Sequence, residues 1–255
     1  MARFVFVHGA FTGAWVWQAV ASRLTAAGHV VDTLDLPGSG DDQIPASGIT
    51  LDSCAERVAG VLRKRPQPAI LAGNSMGGLV ATQAAALCPN QVAALVYVAA
   101  FAPQDGQSLL ALTHLPEGSG DQVQANIMVA GDPPMATMPA AASRNALYGS
   151  CEEDVAAAAI ARQRPQAVAP FATPVSIPGG ALDGIPRFGV LCLRDKAIPP
   201  VLQRRMYREV ECAEVVELDT DHTPQLSMPA QLSDALEHFA ACLDRAASPG
   251  AASGS

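Results

Sequence analysis

A mostly parallel, doubly wound α/β sheet interrupted by one long insertion is the architecture this sequence predicts, and three observations carry that expectation. Short, nearly all-apolar stretches of strand length alternate with longer stretches whose apolar residues recur at helical spacing, as β-α-β units with helices on both sheet faces require. One of the strands, residues 69–72, runs directly into Gly73-Asn74-Ser75-Met76-Gly77 and then into an alanine-rich helical pattern over 79–87. The alternation fails between residues 104 and 186 and then resumes. The chain therefore divides into a core of residues 1–103 and 187–246, a cap inserted at 104–186, and a disordered tail at 247–255.

Residues 3–7 are a short apolar strand that ends in His8-Gly9-Ala10-Phe11. Residues 15–27 carry Val16, Val20, Leu24 and Ala27 at helical spacing and stop at Gly28, a helix-closing signal. A strand over 29–34 leads into the turn Asp35-Leu36-Pro37-Gly38-Ser39-Gly40, and a helix is expected over 51–64. After the strand at 69–72 and its following helix, residues 91–99 form another apolar strand. The insertion is rich in Pro, Gly, Ala and Met, and only 152–163 reads as a helix. A structureless loop of that length is implausible inside a compact domain, so the segment is expected to fold over the core. The regular pattern returns with a strand at 188–193, a helix at 199–209, a strand at 214–218 and a helix at 229–243, apolar at Leu232, Leu236, Phe239 and Leu243.

Composition narrows the function. At 255 residues, 49% hydrophobic and 16% charged, the chain is long enough to bury one sizeable core. A net charge of -8 disfavours nucleic acid and anionic membrane surfaces, leaving a neutral or apolar small molecule as the expected guest. Six scattered cysteines without a C-x-x-C pair read as buried free thiols in a reducing compartment. The first strand follows Met1-Ala2 with no leader pattern before it, and the apolar run at 92–102 is well short of the roughly 20 residues of a bilayer span. A soluble cytoplasmic protein is expected, with a homodimer left open. Gly38-Ser39-Gly40 follows a strand as a dinucleotide fingerprint would, but Gln43 stands at the third glycine position and Pro45 opposes an immediate helix. Asp219, Asp221 and His222 match no standard metal-ligand spacing. Neither a cofactor nor a metal is expected.

The strand-turn-helix around G-x-S-x-G reads as a nucleophile elbow, which lifts the Ser75 hydroxyl above the end of a parallel sheet. A serine is a weak nucleophile near neutrality, so an imidazole must take its proton and a carboxylate must orient that imidazole. Of the five histidines, His8 ends the first strand, His29 begins another, His114 lies in the insertion and His238 lies inside the last helix. His222 alone falls between the last strand and the last helix, where the base belongs. Asp195, just past the strand at 188–193, is the favoured acid; Asp219 and Asp221 compete, but they share the loop of His222. Backbone N–H groups of Met76 and Ala10 are the expected oxyanion donors, with His8 ordering its loop.

Several segments carry a family resemblance: Phe4-Val5-Phe6-Val7-His8-Gly9-Ala10, Gly13-Ala14-Trp15-Val16-Trp17, Ala99-Ala100-Phe101-Ala102-Pro103 and Leu147-Tyr148. They resemble the plant methylesterase and hydroxynitrile lyase branch of the α/β hydrolases. Phe171-Ala172-Thr173-Pro174, Ile185-Pro186-Arg187 and Gln203-Arg204-Arg205-Met206 look still more like bacterial carboxylesterases such as pyrethroid hydrolase. The resemblance covers residues 3–243 and implies an α/β-hydrolase fold, a Ser75–His222–Asp195 triad with Ala10 and Met76 as oxyanion donors, and hydrolysis of a small to medium, largely apolar ester. An apolar pocket is expected from Phe11, Phe101, Met128, Met135, Met138, Tyr148 and Phe171. A triad-dependent lyase or cyclisation enzyme, a thioesterase and a slow ligand-binding protein are the alternatives. Two positions depart from the lyases of the family, which carry a threonine after the first-loop histidine and a lysine after the catalytic one. Here those positions hold Gly9 and Thr223.

Overall fold

The structure, a computed structural model, describes residues 1–247. Of the tail expected at 247–255, Ala247 closes the last helix and the remainder lies outside the described residues. The strands are β1 (Arg3–Val7), β2 (Val30–Thr33), β3 (Ala69–Ser75), β4 (Val92–Ala100), β5 (Met128–Ala130), β6 (Met135–Thr137), β7 (Gln166–Ala167), β8 (Arg187–Cys192) and β9 (Glu214–Leu218). Six of them form the central sheet in the order β2-β1-β3-β4-β8-β9, and every neighbouring pair is parallel. Strands β1, β3 and β4 lie inside the sheet with almost every residue buried, which is why they read as nearly all-apolar runs. The edge strands β2 and β9 carry Asp32, Glu214 and Glu217 because one side of each is open to water.

Residue alternation along β1 sends Phe4 and Phe6 to one face of the sheet and Val5 and Val7 to the other. The first face is covered by α1 (Gln18–Ala26) and the last helix. The second is covered by α2 (Leu51–Leu62), α3 (Met76–Leu87) and, farther along the chain, a helix over residues 200–209. Arg3, fully buried, ties β1 to the end of α2 by donating to the carbonyls of Val61 and Leu62, which have no partner inside the helix, while its Nε reaches Asp32 at 3.1 Å.

Between β4 and β8 the chain forms α4 (Leu109–Thr113), α5 (Gln122–Asn126), α6 (Ala140–Ala146), α7 (Glu153–Ala161) and α8 (Ala169–Ala172), with β5, β6 and β7 making a small antiparallel sheet. Only α7 is legible in the sequence. Helices of four to seven residues are too short to display a periodicity, and two of them are set by their caps: Ser108 accepts from Ala111 N, and Asp121 accepts from Val123 N and Gln124 N. The chain then completes α9 (Pro200–Glu209), α10 (Pro224–Ser227) and α11 (Pro229–Ala247). No helix among the described residues is long and apolar enough to cross a membrane.

Helix α11 is held by aromatic packing. Phe239 is fully buried and stacks on Phe188 of β8 at 4.6 Å between ring centroids. Phe239→Ala removes that ring from a close-packed layer and is expected to cost about 3–5 kcal/mol, read as a lowered urea midpoint at unchanged slope. A loss below about 1 kcal/mol would mean that the layer collapses to fill the space.

Candidate active site

The chain leaves β1 outward to β2 and then returns to place β3 on the other side of β1, so the strand order reverses between β1 and β3. A crevice opens at the carboxyl ends of two strands whose connections depart in opposite directions. The loop after β1 and the turn after β3 meet there. Ser75 occupies that turn at φ 56° and ψ -124°, a left-handed backbone that a residue with a Cβ rarely adopts. The approach is so close that a Cβ on Gly73 would lie 2.3 Å from the Gly77 carbonyl oxygen, and one on Gly77 would lie 2.6 Å from that of Val7. Both glycines are therefore steric requirements of the turn. Helix α3 begins at Met76, earlier than the periodicity suggested, so its free N-terminal N–H groups start immediately after the serine.

Ala10 and Met76 both line the pocket that contains Ser75, and neither N–H enters a turn, loop or cap hydrogen bond among the described residues. His8 shapes the Ala10 loop. Leu36 N–H donates to its Nε2 at 3.0 Å, so Nδ1 carries the ring proton and donates to the Gly9 carbonyl at 2.7 Å. Burial pushes its pKa down, in keeping with this neutral form. Gly9 itself leaves no room for a side chain, because a Cβ there would sit 2.9 Å from the Cβ of Ser75.

His222 lies in the loop between β9 and α10, with its Nδ1 2.8 Å from Oδ2 of Asp195 after β8. Both side chains are almost completely buried. The Asp195 carboxylate has four partners: Oδ1 accepts from the N–H groups of Ala197 (2.8 Å) and Ile198 (2.9 Å), and Oδ2 accepts from Gln203 Nε2 (2.8 Å) as well as His222. Burial by itself would lower the His222 pKa, but the charge and hydrogen bond of Asp195, helped by Asp221 and Asp121, raise it above the ordinary 6.5. Asp219 is exposed and pairs with Arg194 at 3.1 Å. Asp221 is buried, and its carboxylate accepts from Ser150 N at 2.6 Å and Thr223 N at 3.3 Å, tying the insertion to the histidine loop.

Ser75 and His222 line one pocket, although no hydrogen bond among the described residues joins the Ser75 hydroxyl to the ring. Rotation about a single bond moves a serine hydroxyl between its staggered positions. Asn74 connects the elbow to the histidine loop by donating from Nδ2 to the carbonyls of His222 (3.2 Å) and Val98 (3.0 Å). Its role, like that of Gln203, is not evident from the motif. The signal for Gln203 is a polar residue on the buried side of α9, beside Leu202, Met206 and Tyr207.

Of the seven expected pocket residues, Phe11, Phe101, Tyr148 and Phe171 line the cavity. Met128, Met135 and Met138 do not. Met128 is exposed on β5, Met135 lies on β6 and packs against the apolar core, and Met138 follows β6 and borders a separate depression. The insertion instead supplies Leu109, Asp121, Ile127 and Leu147 to the wall. All six cysteines are free. Among the described residues, one cluster of metal-ligand type, Glu214, His238 and Cys242, lies on the β9–α11 surface, where His238 pairs with Glu214 at 2.8 Å and Arg245 reaches the Cys242 sulfur at 3.1 Å.

Comparison with known proteins places the chain among relatives of similar sequence and fold. The chain is 32% identical to Methylesterase 7 of Arabidopsis thaliana over 245 residues, covering 90% of this chain and 93% of the other. It is 29% identical to an alpha-hydroxynitrile lyase of the same plant over 248 residues, covering 93% and 96%. It spans 63% and 55% of the length of two putative chloroplastic methylesterases that it also matches. Among solved structures, a pyrethroid hydrolase from Sphingobium faniae JZ-2 superposes with a TM-score of 0.84 at 26% identity, covering 94% and 97% of the two chains. Its relatives thus include esterases. Residues 4–235, which hold the elbow, Asp195 and His222, match the Alpha/beta hydrolase family, and the chain belongs to that family.

Proposed function

We propose that this protein is a cytoplasmic carboxylic-ester hydrolase that acts on a small to medium, largely apolar ester through Ser75, His222 and Asp195, without a cofactor. The observation that supports the reading best is the buried 2.8 Å contact between Asp195 and His222, whose ring lines the pocket that also holds the strained Ser75. With Nδ1 held by Asp195, the other ring nitrogen takes the Ser75 proton as the hydroxyl oxygen attacks the acyl carbon. The N–H groups of Ala10 and Met76 hold the oxyanion. The imidazolium returns the proton to the departing alcohol, and water attacks the acyl-enzyme in a second round that releases the acid.

A lyase reading needs a cation beside the catalytic histidine, where the cyanide departs. Thr223 donates its hydroxyl proton to the Leu147 carbonyl at 2.8 Å, and no Lys or Arg lines the pocket. Aryl acetates should therefore be hydrolysed in a Ser75-dependent way, while mandelonitrile should release no cyanide above the buffer rate. Steady-state assays of aryl esters, the matching thioesters and mandelonitrile separate the alternatives. Cyanide release that disappears in Ser75→Ala would replace the esterase reading with the lyase one, and faster turnover of thioesters would shift it to a thioesterase.

A further inference from the structure

The pocket wall contains one ionisable side chain that this mechanism does not use as base, acid or nucleophile and that is not a phenol: Asp121, at the start of α5. It is 92% buried, its residue retaining 8% exposure. Oδ1 accepts both cap hydrogen bonds, from Val123 N at 2.7 Å and Gln124 N at 2.9 Å, which fixes the carboxylate in place. Oδ2 has no hydrogen-bond partner among the described residues and is not one of the sealed polar atoms of the interior, and Asp121 is part of the pocket wall. A cap needs a single acceptor, and an uncharged Asn or Ser supplies it as well as Asp does. The second oxygen is therefore unexplained by the helix.

The surroundings sharpen the point. The threonines of the wall have committed their protons elsewhere: Thr12 to the Gly9 carbonyl, Thr113 to that of Leu110 and Thr223 to that of Leu147. No cation lines the cavity, and much of the rest of the wall is apolar. Burial pushes the Asp121 carboxyl up to about 6, against the opposing pull of its cap bonds, so it is ionised at pH 7.5. An anionic oxygen facing an apolar cavity loses much of its hydration unless a donor arrives to replace it.

We propose that Asp121 is a specificity-determining residue whose free carboxylate oxygen receives a hydroxyl or ammonium donor of the substrate. The preferred esters then carry one such donor on an otherwise apolar frame, and esters bearing a second, free carboxylate are rejected. The inference rests on the proposal that this pocket holds the ester cleaved at Ser75.

The test uses methyl phenylacetate and methyl 3-phenylpropanoate, each plain and with a hydroxyl or aminomethyl group at the meta or para position of the ring. At least one donor-bearing ester should exceed its plain partner in kcat/KM by about tenfold or more, the range of a hydrogen bond to a charged group. In Asp121→Asn, which keeps the cap, and in Asp121→Ser, which keeps it without a second oxygen, that ratio should fall toward one for the aminomethyl esters. Binding of the same esters to Ser75→Ala, read by calorimetry, separates this inference from the esterase proposal. A donor preference in Kd that Asp121→Asn removes supports it even if the wild type hydrolyses none of the esters, in which case only the esterase reading falls. Equal binding of donor-bearing and plain esters, or a preference unchanged in both Asp121 variants, overturns it.

Discussion

Ser75→Ala is expected to lower kcat for ester hydrolysis by on the order of 10⁶, with the protein folded as before. In the proposed mechanism the substitution removes the attacking oxygen. Alanine has the same Cβ as serine, so the left-handed backbone at φ 56° is no more strained than in the wild type, and the thermal midpoint should stay close to its original value. His222→Ala should fall by a similar factor, and the double variant should be scarcely worse than either single one, because a nucleophile without its base and a base without its nucleophile are equally idle. Single-turnover assays with an aryl ester read the effect. Turnover within tenfold of wild type in either variant would remove Ser75 and His222 from the chemistry.

Asp195→Asn is expected to lower kcat by up to about 10⁴. The carboxylate accepts four hydrogen bonds, two of them from the backbone N–H groups of Ala197 and Ile198, which cannot turn around. The amide oxygen of asparagine would stay with those two, leaving its NH₂ group to face His222 Nδ1. That nitrogen would then accept, and the ring proton would move to the nitrogen that must take the Ser75 proton. The pH profile gives an independent reading. The proposed mechanism requires neutral His222, so activity is expected to be lost as pH falls through the histidine pKa, which is raised above the ordinary 6.5. Without the Asp195 charge and hydrogen bond, burial is opposed only by Asp221 and Asp121, and the acidic limb of the residual kcat/KM should move to lower pH. An acidic limb that stays in place in Asp195→Asn, or moves only in Asp221→Asn, would assign the orienting carboxylate to Asp221.

The sequence by itself determined the strand and helix alternation, because burial on both faces leaves β1, β3 and β4 almost wholly apolar apart from Arg3 and the elbow residues Asn74 and Ser75, and helical spacing marks α2, α9 and α11. It also determined the elbow, since Gly73 and Gly77 are demanded by contacts within a few residues of Ser75 or with the adjacent strand. The tertiary structure alone decided the rest. Asp195 and His222 are 27 positions apart, and the β8–β9 pairing places the loops after those two strands side by side. Gln203, Asn74 and Asp121 are ordinary polar residues in the sequence; only the packing of α9 on Asp195, of the elbow on the histidine loop and of α5 over the crevice turns them toward the site. The three methionines fail for the same reason. Periodicity records how much of an element is buried, whereas a pocket depends on which side chains from distant elements point into one space, and a five-residue helix or a three-residue strand has too few residues to declare its direction.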